Sequence, residues 1–305
     1  MGMREACFPH QSAVESPLIE NTGEKMTDLR AKVLETDALP TISSIAEQLL
    51  SLPLDTEKGE RDLLGLIESD PFIAARVIGM ANSPFFSPNR KVCTVADASL
   101  VLGLSRVKSI AIAIALLGPI RVRESRIFSP RELWLHSFSM ATGMRTLAAM
   151  LPPELRPSEE MLFLSGLLHD LGYLVLAHLA PEKFDAFLSR MESNPVESVP
   201  EAEDAEFGVN HAEIGGILAR SWNLPEEVIG VIEGHHGVDL KNMTLMLARI
   251  AESITGEGAI RMNAPLQVSG DEIEATGITA EQLGQARETL EMQREQIMLL
   301  ADLLT

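Results

Sequence analysis

Gly166-Leu167-Leu168-His169-Asp170-Leu171-Gly172 sets an imidazole beside a carboxylate in the middle of an otherwise apolar stretch. Leucines crowd both sides of the pair, so it belongs to a buried region, and Gly172 permits a turn that an unbroken helix would not. The reading is two helices, Ser158–Leu168 and Gly172–Leu179, that end and begin at His169-Asp170. The same spacing and capping chemistry continues on both sides. Downstream it predicts helices over Glu182–Glu192, Asn210–Trp222, Pro225–Glu233 and Leu240–Ile254, and upstream over Pro130–Met150. Further back, a helix starts at Thr41, and another covers Glu57–Ser69. Asp70-Pro71 reads as N-cap plus first helical residue of a helix that stops near Asn82, and Val95–Leu102 is closed by Gly103. Ile110, Ile112 and Ile114 alternate with Ala, a period of two, but Ala is a poor strand former and no β partner appears elsewhere. Ser105–Leu117 is therefore a helix buried on all sides, and the fold class is all-α.

The chain has 305 residues, a formal net charge of −19, and 46% hydrophobic against 23% charged residues, which fits a globular protein and excludes a disordered one. Two cysteines, Cys7 and Cys93, exclude a disulfide framework or a cysteine-rich zinc module and suit a reducing cytoplasm. The run Ile110–Leu117 is too short to span a bilayer, so no membrane anchor is expected. The strongly acidic surface and 13 aromatic residues argue against nucleic-acid binding. Residues 1–25 read as a flexible tail. Met191–Glu206, with six acids, no bases and two prolines, reads as an exposed loop. Near the end, Leu283, Leu290, Ile297 and Leu304 recur every seven residues with Gln293 interrupting the seam, an amphipathic helix that packs onto the body or carries a partner.

Five of the seven histidines fall beside carboxylates in a limited part of the chain: His136, His169 next to Asp170, His211, and the pair His235-His236. Glu132 and His136, four apart, share a helical face. Imidazole nitrogen and carboxylate oxygen are the donors that iron, manganese and zinc accept. Each histidine alone could cap a helix or donate to a carbonyl. Burying the set costs desolvation unless ligands or hydrogen bonds compensate.

These features together resemble the HDOD proteins, bacterial signalling relatives of the HD superfamily of metal-dependent phosphohydrolases. The motifs that carry the resemblance, across roughly residues 27–255, are Leu39-Pro40, Asp70-Pro71, Asn82-Ser83, Asp97-Ala98 with Leu102-Gly103, Trp134 with His136-Ser137, Gly166–Gly172, His211 with Gly215, and Trp222-Asn223-Leu224-Pro225 before His235-His236. The resemblance implies an N-terminal helical sub-bundle (residues 26–122) leaning on an HD-like helical bundle with a histidine-lined cavity (123–260). A C-terminal segment with the amphipathic helix (261–305) follows. Similarity to the HD-GYP phosphodiesterases, which cleave cyclic di-GMP, assigns Glu132, His136, His169, Asp170, His211, His235 and His236 as metal ligands, with Asp170 the catalytic candidate. In Leu247-Ala248-Arg249-Ile250-Ala251, Arg249 stands where those enzymes place a final Asp, and the Gly-Tyr-Pro signature is absent. A guanidinium repels a dication but can clamp a phosphate; Asp239 or Glu252 could supply the missing carboxylate. What the resemblance implies is a stand-alone HDOD signalling module, with a degenerate cavity that can hold Fe, Mn or Zn and a signalling protein as partner. The alternative is a metal-dependent phosphohydrolase acting on a nucleotide or cyclic dinucleotide.

Overall fold

The computed structural model describes residues 29–34, 41–123, 125, 127–193, 198–255 and 266–305; the tail expected over 1–25 lies outside them. The described residues form helices and no strand: α1 Leu29–Leu34, α2 Ser44–Ser51, α3 Glu57–Glu68, α4 Pro71–Ala81, α5 Val95–Leu102, α6 Leu104–Leu117, α7 Pro130–Met150 and α8 Glu159–Leu168. Then come α9 Leu171–Leu179, α10 Pro181–Ser193, α11 Val199–Phe207, α12 His211–Ser221, α13 Glu226–Gly234, α14 Met243–Thr255, α15 Gly270–Thr276 and α16 Ala280–Asp302.

The starts follow from local chemistry. Thr56 Oγ1 accepts from the Gly59 amide at 3.0 Å, Thr94 Oγ1 from Asp97 at 3.0 Å, and Asp70 Oδ1 from Phe72 and Ile73 at 2.9 and 3.1 Å ahead of Pro71. Between α5 and α6 the chain bends by 115° at Gly103, whose φ of +87° a side chain would resist. All residues of α6 from Val107 to Leu117 are buried, which is why its apolar residues show no helical period. Lys108 in that run is neutralised: its Nζ donates to the Leu52 carbonyl at 2.7 Å and pairs with Glu160 of α8 at 2.8 Å, tying the first half of the chain to the second.

The stretch Glu159–Leu179, α8 and α9 together, is long and apolar enough to cross a membrane, but it is 89% buried within the protein's own core. Close helix approach explains Gly172. A Cβ there would lie 1.8 Å from the carbonyl oxygen of His211, so its absence lets α9 press on the start of α12.

One sequence expectation changes. The acidic stretch after Met191 is not all loop, because Val199–Phe207 forms α11, capped by Ser198 and ended by Gly208 at φ +76°. Glu203, in its middle, is fully buried. The heptad residues face inward: Leu290 and Ile297 are buried, and α16 packs on α7 and α14. Beyond it, Leu303 lies over Gly79 of α4 while Asp302 pairs with Arg131 of α7, so the C-terminal helix touches both halves. Ile297→Ala should lower unfolding free energy by about 2–5 kcal/mol, whereas Met292→Ala, at a position 74% exposed, should change it by less than about 0.5 kcal/mol. Urea melts of the two variants check this.

Candidate metal centre

His169 closes α8 and Asp170 opens α9, so the break between the helices delivers two adjacent side chains to one interior point. His136 comes from α7, His211 is the first residue of α12, His235 and His236 follow α13, and Glu252 comes from α14. Their donor atoms form two groups, His136 with His169 and Glu252, and His211 with His235 and His236, each within 4.8 Å of one another. Asp170 stands between the groups. Its Oδ2 lies 3.5 and 3.3 Å from Nε2 of His136 and His169, and its Oδ1 lies 3.5 and 3.8 Å from Nε2 of His235 and His211. His136, His169, Asp170, His211 and His235 are each at most 5% exposed; His236 and Glu252 are partly buried at the edge.

Tautomers follow from the partners, since a carbonyl or carboxylate can only accept. Nδ1 of His169 donates to the Gly166 carbonyl at 3.0 Å, Nδ1 of His235 to that of Ile232 at 3.0 Å, and Nδ1 of His211 to Glu203 at 2.6 Å. In the neutral rings of His169, His235 and His211 Nε2 is then a bare lone pair, and these atoms lie close to other ring nitrogens: His211 to His235 at 3.2 Å, His236 to His211 at 2.9 Å, His136 to His169 at 3.0 Å. Burial pushes His235 down to about 3 and lowers His236 as well, so neither ring carries a positive charge at neutral pH. For His211 burial acts downward too, but the charge and hydrogen bond of Glu203 more than offset it and raise the value. Burial pushes the Asp170 carboxyl up, yet the surrounding imidazoles, His169 foremost, hold it well below the usual range. Glu252 is likewise lowered, burial being outweighed by His136.

This donor set fits a metal. Ions bound by imidazole and carboxylate at about 2.0–2.2 Å have neighbouring ligand atoms roughly 3.0–3.5 Å apart, and the separations within each group are of that size. The Oε2 of Glu252 is sealed from water with Nε2 of His136 at 3.2 Å, a buried anionic oxygen aimed at the same point. A cation among these lone pairs and carboxylates would offset the cost of burying them.

Two residues expected at the centre are elsewhere. Glu132 pairs with Arg131 at 3.4 Å and, with His136 and Arg294, lines a pocket of about 40 Å³ beside the centre. Arg249 is buried, and its guanidinium is engaged by Glu272 of α15 at 2.5 Å and by the His235 carbonyl at 3.2 Å. It is therefore not available to clamp a phosphate. Asp239 is exposed and accepts from the Lys241 amide, so of the two carboxylates considered it is Glu252 that joins the group. Sequence reasoning missed Glu203; the one signal was an acid inside a stretch whose flanking Val199 and Phe207 allow an apolar face. A larger cleft of about 490 Å³, bordered by Phe72, Trp134 and Leu304, lies at the junction of the halves and does not include the histidines.

Fold and donor set define a helical protein with a histidine–carboxylate cluster able to hold a metal ion. Residues 39–238 match the HDOD domain, and the chain belongs to that family. An HDOD domain protein with unknown function from Geobacter sulfurreducens superposes with a TM-score of 0.71 at 22% identity, covering 90% of this chain and 96% of that one. A Marinobacter aquaeolei VT8 protein described provisionally as a signal transduction protein gives 0.76 at 24% identity, over 91% of this chain and 61% of that one. One from Shewanella amazonensis SB2B, described provisionally as a phosphohydrolase, gives 0.64 at 25%, over 92% and 99%. An uncharacterised Treponema pallidum (strain Nichols) protein is 26% identical over 217 residues, 70% of this chain, which spans only 40% of that relative's length.

The Arg249–Glu272 pair yields an expectation for stability. Arg249→Ala leaves a buried carboxylate without its partner and should cost about 3–5 kcal/mol. Burial pushes the Glu272 carboxyl up, but the Arg249 hydrogen bond prevails and lowers it. A carboxyl held below its unfolded value stabilises the fold at neutral pH, and that contribution fades as pH falls from the ordinary carboxylate range through the lowered value. Chemical melts of wild type and Glu272→Gln should therefore differ at pH 7 and converge in acid.

Proposed function

We propose that the chain is an HDOD regulatory module that holds two ions of iron, manganese or zinc and acts through contacts between its helical surfaces and a signalling protein. His136, His169 and Glu252 would hold one ion, His211, His235 and His236 the other, with Asp170 shared. The observation that carries the reading is the convergence of five Nε2 atoms with neighbours at 2.9–3.2 Å around the buried Asp170, with the Nδ1 atoms of His169, His211 and His235 committed elsewhere. Ions bound there supply the positive charge those donors lack. The protein's part is to keep the donors fixed and dry. Because ligands arrive from α7, the α8–α9 break, α12, the end of α13 and α14, loading ties these elements together and stiffens the surfaces they present. The sealing of five of the ligands favours a site that holds ions over one that turns over substrate.

A metal-dependent phosphohydrolase acting on a nucleotide or cyclic dinucleotide is the second reading. In its favour, Arg249 is turned to Glu272 and Glu252 supplies a carboxylate, so the departure from the HD-GYP pattern does not place a cation among the donors. There the metal would supply Lewis acidity, and Asp170 is the residue on which hydrolysis would depend.

Protein purified without added metal should carry about two equivalents of Fe, Mn or Zn by elemental analysis, and Asp170→Ala should lose at least one of them. Wild type that neither carries nor takes up these ions overturns the metal reading. Metal-dependent cleavage of cyclic dinucleotides or a generic phosphodiester, abolished in Asp170→Ala, would replace the regulatory reading with the second.

A further inference from the structure

The ligand histidines are not supported alike. His169 and His235 each give an Nδ1 proton to a neutral main-chain carbonyl, of Gly166 and Ile232. His211 gives its proton to a carboxylate. Glu203 Oε2 lies 2.6 Å from His211 Nδ1 and also accepts the His211 main-chain N–H at 2.9 Å, so one oxygen fixes both the ring and the first residue of α12. Tyr173 stacks on the imidazole at 4.1 Å between ring centres and 21° between planes, closing off rotation.

Glu203 is fully buried, and its second oxygen has no hydrogen-bond partner among the described residues. Its ion-pair contact among those residues is His211, with no Lys or Arg beside it. A wholly buried carboxylate is costly unless a positive charge draws on it. The route for that charge runs through the ring. A carboxylate on Nδ1 aims the Nε2 lone pair into the centre and makes it more basic toward an ion. The half made by His136, His169 and Glu252 has no carboxylate behind the His169 ring, whereas the other half offers three imidazoles, donors that cobalt(II) and zinc accept, one of them backed by Glu203.

We propose that Glu203 is a positioning residue which, acting through His211, makes the three-histidine half the tighter of the two ion sites and the first to fill. This rests on the metal reading above and adds an order of loading and the residue that sets it.

The test uses the full chain, stripped of metal and titrated with cobalt(II), followed by the visible absorption of the bound ion and by equilibrium dialysis. Wild type should take up cobalt(II) in two steps. In Glu203→Gln, which keeps the side-chain shape and removes the charge, the first step should weaken about 10–100-fold while the second stays unchanged. His236→Ala should remove the tight step and His136→Ala the weak one. Circular dichroism and thermal melts report whether each variant folds; if Glu203→Gln does not, the two histidine variants still decide the loading order. A Glu203→Gln titration matching wild type, or loss of the tight step in His136→Ala with its retention in His236→Ala, overturns the proposal. Wild type that binds no cobalt(II) overturns the metal reading itself, a different failure.

Discussion

Imidazoles that have given their Nδ1 protons to carbonyls or to a carboxylate turn their Nε2 atoms toward one another and toward the Asp170 carboxylate, and the interior of this protein is organised around that convergence. The acceptors, Gly166, Ile232 and Glu203, belong to three different helices, so the tautomers are set by the packing of the body and not by the ligands themselves. His211 and His235, both committed at Nδ1, bring their Nε2 atoms to 3.2 Å, and a proton or a cation between them relieves that approach. The helical scaffold and the chemistry of the donor cluster are for that reason one problem.

The break at His169-Asp170 is the local device that makes this possible. Adjacent residues of a continuous helix point about 100° apart, but His169 remains helical and Asp170 does not, with φ −98° and ψ 19°, so both side chains reach the same interior. The pairing of α9 with α12 then brings His211 within reach of Asp170, and Gly172 is what allows those backbones to touch. Lys108, bound to Leu52 and Glu160, ties α6 to α8 without joining the donor groups.

Most of this was legible in the amino-acid order because it rests on local rules. Asp70-Pro71 announces a helix start through hydrogen bonds made within three residues, and the adjacency of His169 and Asp170 marks the break between α8 and α9. What could not be read depends on pairings distant in the chain. The positive charge of Arg249 suggested a contact inside the cavity, but Glu272, 23 residues later, fixes the guanidinium outside it. Glu203 looked like one more solvated acid until α11 folded it against His211, eight residues away. Glu252 was one of two candidate carboxylates, and only the placement of α14 separates it from the exposed Asp239.

The family match ends at residue 238, whereas Glu252 and the Arg249–Glu272 pair lie beyond it. A fragment trimmed to the matched segment would keep His211, His235 and His236 but lose the carboxylate from the opposite group and the guanidinium that holds the His235 carbonyl. The donor cluster of this chain thus extends beyond its signature, and α14 is part of the cavity wall as much as of the outer shell.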